Sequence, residues 1–106
     1  VIVELSIPPS TTELAPTTKT LDLFNNSVRG IIVNVPDGHK YLARLRIETQ
    51  GRRLIPDFNS DPWVRGNNNK IVFNLGVTLE GPPYKLTLIG WNEDDTYPHT
   101  FYIEVQ

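Results

Sequence analysis

The side chains able to do chemistry are few, and their spacing suits no reaction. Nucleophilic catalysis needs a Ser, Thr or Cys beside a His that a carboxylate orients; the chain has no Cys and only two histidines, His39 and His99. His39 follows the tight turn "PDG" and His99 follows Pro98, so both are expected as exposed turn residues. At the ends of different strands they are not expected to share a zinc ion. No Gly-x-Ser-x-Gly elbow presents a nucleophile. Glu93, Asp94 and Asp95 are adjacent, so they alternate in direction and repel, which does not set two carboxylates on either side of a scissile bond. Clustered loop carboxylates are what calcium takes, but a solvated acidic turn is the simpler reading here. Asp57 and Asp61 in "PDFNSD" are expected to make Asx-type turns. Phosphate-binding loops and dinucleotide fingerprints are absent, and the single sequon Asn25-Asn26-Ser27 is a match that chance supplies often. The expectation is a non-enzyme with no cofactor and no metal.

The elements that must position these residues follow from composition and period. A chain of 106 residues is one domain that buries about two-thirds of its unfolded surface, enough for a core without disulfides. Ten basic against twelve acidic residues, a net charge of −2, give no electrostatic footprint for phosphate backbones or anionic lipid. Nucleic acid is therefore not an expected partner. No apolar run approaches the ~20 residues of a membrane helix, so no membrane insertion is expected. Opening at Val1 with no charged-then-apolar leader, the chain is expected to be a processed protein or a module of a larger protein or assembly.

Alternation of apolar and polar residues recurs along the chain, and no ten-residue stretch carries a helical stripe. Val1, Val3, Leu5 and Ile7 form a first strand, and Pro8, Pro9 and Pro16 bracket a connector that cannot lie within a sheet. Leu21 and Leu23 begin a second strand. Ile31, Val33 and Val35 mark a third, which closes at a turn where Gly38 supplies a positive φ. Tyr41, Ala43, Leu45 and Ile47 mark a fourth, with Leu42, Arg44, Arg46 and Glu48 on its other face. The segment "GRRLI" reads as a short edge strand whose arginines discourage further pairing. After an irregular stretch from Pro56 to Asn69, Ile71, Phe73 and Leu75 form a sixth, and "YKLTLIGWN" and "TFYIEV" supply the last two. Seven or eight strands in this length predict an all-β fold, a two-sheet antiparallel sandwich.

The spacing of Tyr84, Leu86, Leu88, Gly90 and Asn92 resembles the penultimate strand of fibronectin type III, cadherin and other immunoglobulin-like modules, and "TFYIEV" resembles the terminal strand of bacterial and phage immunoglobulin-like domains. The likeness covers about a fifth of the chain. It implies an immunoglobulin-like sandwich in which the last two strands form a hairpin flanked by the fourth, and a Tyr84 hydroxyl that makes a corner. Cadherins keep a calcium-binding Asp at the position of Asn92; Asn stands there instead, and the cadherin partner motifs are missing.

In such a hairpin, parity sends Trp91 and Tyr102 to one outward face, close to Ile89, and the fourth strand adds Arg44 and Arg46. That face is either a stacking ladder of guanidinium on aromatic rings or a binding surface, because Trp, Tyr and Arg are enriched at interface hot spots. Trp63 is expected to plug one end of the core. The expected function is a non-catalytic spacer, decoration or adhesion domain of a surface or virion protein, binding a protein partner or neighbouring domains. The alternative is a carbohydrate-binding module that stacks Trp91, Tyr97, Tyr102 or Trp63 on sugar rings.

Overall fold

A computed structural model describes residues 1–56 and 61–106 and contains no helix among them. Eight strands form: β1 (Ile2–Ile7), β2 (Thr17–Leu23), β3 (Ser27–Val35), β4 (Ala43–Thr49), β5 (Arg52–Ile55), β6 (Asn69–Thr78), β7 (Tyr84–Asn92) and β8 (His99–Val105). They make two four-stranded sheets, in the orders β1-β8-β3-β6 and β2-β7-β4-β5, with every pair antiparallel. The two-sheet sandwich is the fold that the alternation predicts. Strands β4 and β8 show the alternation most plainly, burying Ala43, Leu45, Ile47 and Thr49 on β4, and His99, Phe101, Ile103 and Val105 on β8. Leu86, Leu88, Ile31 and Val33 complete a core shared by both sheets.

The order of strands follows from one long ribbon. At its tip, Thr49 pairs with Arg52 across Gln50 (φ 50°) and Gly51 (φ 78°), two successive positive-φ residues, as a type I′ hairpin turn requires. Behind the tip β3 pairs with β6, β2 with β7 and β1 with β8, so the chain doubles back on itself for its whole length. Rolled up, the ribbon closes through β3 on β8 and β4 on β7. This nesting is the jelly-roll arrangement of a sandwich.

One expectation fails here. The last two strands are not a hairpin: β7 lies between β2 and β4, whereas β8 lies between β1 and β3. In immunoglobulin order the final two strands are neighbours in one sheet, and here they lie in opposite sheets. Their apolar sets do both point inward, but they meet across the core instead of side by side. Gly90 marks the close approach of the layers, since a Cβ there would run into the Ile7 side chain and lie 3.0 Å from the Arg44 carbonyl.

Candidate functional site

The outer face of β2-β7-β4-β5 carries an aromatic cluster. On β4 and β7, Arg44 pairs with Trp91 and Arg46 with Ile89, so their side chains leave the sheet on the same side. Beyond β5, residue 64 bridges back to Leu45, with N–H to O=C bonds of 2.9 and 2.7 Å in the two directions. The bridge turns Val64 inward and lays Trp63 against the outside of β4. The Arg44 guanidinium then sits 4.3 Å from the centre of the Trp91 ring, and that of Arg46 sits 4.4 Å from the Trp63 ring. The two indoles meet edge to face at 6.0 Å and 85°, the arrangement that the ring quadrupole favours. Each stacked guanidinium is worth about 0.5 to 2 kcal/mol, more as the pair is desolvated.

Charges at both ends close this cluster. Arg44 Nη1 lies 2.8 Å from Glu93 Oε1, and Arg46 Nε lies 2.9 Å from Glu48 Oε2, close enough for an ion pair but not aligned as a hydrogen bond. Asp61 accepts the Trp63 N–H at 3.1 Å, the expected Asx-type turn, and takes Arg65 Nε and Nη2 on its other oxygen. Partial burial raises the Asp61 pKa, but the Arg65 hydrogen bond and then the Trp63 N–H outweigh it, so the carboxyl titrates below its ordinary range. Asp57 lies outside the described residues. Trp63 is only 7% exposed, yet it is buried under Arg46 outside the sheet, and the expected plug at one end of the core is not its role. The rings present edges and guanidinium caps, and no flat stacking platform.

Tyr102 is not part of this cluster. It stands between Glu4 and Asn34 on the outer face of β1-β8-β3-β6, on the far side of the sandwich from Trp91. The shared patch of Trp91, Tyr102, Arg44 and Arg46 therefore resolves into two surfaces, because the parity argument placed β7 and β8 in one sheet.

The loop joining β7 to β8 crosses between the sheets, and Asn92 organises the crossing. It is fully buried; its Nδ2 donates to the carbonyls of Ile7 (3.4 Å) and Tyr97 (3.0 Å), and its Oδ1 accepts the Asp94 N–H at 2.9 Å. Asp94 in turn accepts the N–H groups of Thr96 and Tyr97 on one oxygen and meets His99 Nε2 at 2.9 Å on the other. The Thr96 N–H first, then His99 and the Tyr97 N–H, hold its carboxyl below the ordinary aspartate value. Asp95 receives the Thr96 hydroxyl. With Glu93 on Arg44, the acidic run is spent on protein partners, and no group of three or more metal-ligating residues occurs among the described residues.

The two histidines are neither exposed nor apart. His39 is 1% and His99 8% exposed, and their rings lie 4.7 Å centre to centre. His39 Nε2 donates to the Thr100 carbonyl at 2.9 Å and its ring meets that of Phe101 edge to face, which leaves Nδ1 buried with no hydrogen-bond partner among the described residues. Burial above all, and secondarily His99, pushes its pKa below 6.5 despite the Thr100 bond. Next to the pair a hollow of about 580 Å³ opens between the 36–42 and 93–98 loops, lined by Asp37, Lys40, Asp94, Tyr97, Pro98 and His99 among others. Tyr97 is 66% exposed at its rim. Sequence reasoning missed the histidine pair and the part Asn92 plays. The signal was parity, since His99 is in phase with Phe101, Ile103 and Val105.

The class that these observations define is an eight-stranded jelly-roll sandwich with one outer face closed by arginine-capped indoles. No protein-family model matches the chain, and no curated protein is significantly similar to it.

Proposed function

We propose that this chain is a non-catalytic structural and interaction module of a surface or virion protein, and that its contact surface is the outer face of β1-β8-β3-β6. The observation that carries the reading is the contrast between the two outer faces. Trp63 and Trp91 are covered by Arg46 and Arg44, while Ile2, Val72 and Tyr102 stand 75%, 54% and 43% exposed on the opposite sheet. A sheet face bearing a Tyr and aliphatic side chains among charges has the composition of a protein interface. The jelly-roll order is shared with viral capsid and lectin domains, an analogy of fold that agrees with such a role without identifying it.

A carbohydrate-binding module is the second reading, and the hollow beside His99 is the observation in its favour: Tyr97 offers an exposed ring next to Asp37, Lys40 and Asp94. A glycan array, together with p-benzoylphenylalanine placed at position 102, separates the two. Protein adducts at 102 and no glycan signal are expected. Glycan binding that Tyr97→Ala abolishes would transfer the function to the second reading.

A further inference from the structure

We infer that the protein partner is a second copy of this chain, docked face to face through β1-β8-β3-β6 about a two-fold axis parallel to the strands and midway between β8 and β3. The inference rests on the interaction-module reading and names its partner. Two adjacent rows of outward side chains cross the four strands. One runs Glu4, Tyr102, Asn34, Lys70; the other runs Ile2, Glu104, Ile32, Val72. The face is therefore acidic toward the β1 edge, where Glu4 and Glu104 lie, and basic at the β6 edge.

A two-fold axis of that direction sets β1 over the copy's β6 and β8 over its β3, keeping each row opposite itself in reverse. Glu4 then faces Lys70 of the second copy, Ile2 faces Val72, Tyr102 faces Asn34, and Glu104 faces Ile32 with its half-buried side chain free to turn the carboxylate toward solvent, each contact occurring twice. An isologous interface demands a patch complementary to itself in this way, and sandwich sheets stack readily with aligned strands. Glu4 and Lys70 are both exposed and make no ion pair within the chain among the described residues. Within one copy they stand three strand spacings apart, about 14 Å, so any strong coupling between them is intermolecular.

Sedimentation velocity over a concentration series tests this, with circular dichroism confirming that each variant is folded. Wild type is expected to dimerise. Lys70→Glu and Glu4→Lys are each expected to weaken association about tenfold, since two symmetry-related pairs change from attraction to repulsion, and the double variant is expected to restore it. Tyr102→Asp, a change in the middle of the face, is expected to abolish it. A chain that stays monomeric at every concentration overturns the inference, as does a double variant whose defect is the sum of the two single ones. If the chain is monomeric while a crosslinker at position 102 captures another protein, self-association is refuted and the interaction-module reading stands; if neither contact forms, both fall.

Discussion

The two outer faces of the sandwich use similar residues to opposite ends. On β2-β7-β4-β5 the aromatic rings are turned edge to face and covered by guanidinium groups that are themselves paired with Glu93 and Glu48. On β1-β8-β3-β6 Tyr102 and two aliphatic side chains are left in solvent with charged residues around them. An exposed-looking Trp in a sequence is thus a poor guide to a binding surface: what matters is whether the neighbouring strand supplies a cap. Arg44 lies directly opposite Trp91 and supplies one; Asn34 and Glu4, opposite Tyr102, do not.

Substitutions should break this contrast in a graded way. Trp63→Ala removes a nearly buried indole and the rest for Arg46, and is expected to cost about 3 kcal/mol in denaturant unfolding. Asn92→Ala strands the Ile7 and Tyr97 carbonyls and the Asp94 N–H at the crossing between the faces; a loss of about 2 to 3 kcal/mol is expected by the same measurement. Arg44→Lys keeps the charge near Glu93 but loses the planar stack, and about 1 kcal/mol is expected.

Acid should loosen the crossing before it affects either face. Because the folded-state pKa of His39 lies below 6.5, the unfolded chain takes up the proton first. Stability is then complete above pH 6.5 and falls as the pH drops through the folded value. Asp94, also depressed, adds a second loss below its ordinary value of 3.8. A stability profile from pH 8 to 3 should show both windows, and His39→Gln should flatten the upper one.

The sequence made the layers legible and left their wiring hidden. Period-two alternation identifies buried faces, so strands such as "ARLRIET" and "HTFYIEV" could be read from their residues. Alternation says nothing about which strand is the neighbour. Inward sets that meet across a core look the same as those of a hairpin, and this is why Trp91 and Tyr102 were expected together. The pairing of Arg44 with Trp91 survived because β4 does flank β7. Trp63 could not be placed, because its position depends on the backbone bridge between Leu45 and Val64, which no periodic pattern announces. Parity shows that His99 is buried with the inward set of β8, but its meeting with His39 depends on the 36–42 loop being brought against β8 by the rolled ribbon.

If Trp91 belongs to the scaffold and Tyr102 to a contact surface, their truncations must differ in what they cost the fold. Denaturant unfolding of Trp91→Ala beside Tyr102→Ala, at a protein concentration where the chain is monomeric, tests it most directly. A drop of about 2 kcal/mol or more is expected for Trp91→Ala and a change within about 0.5 kcal/mol for Tyr102→Ala. Equal losses, or a neutral Trp91→Ala, would contradict that division of roles.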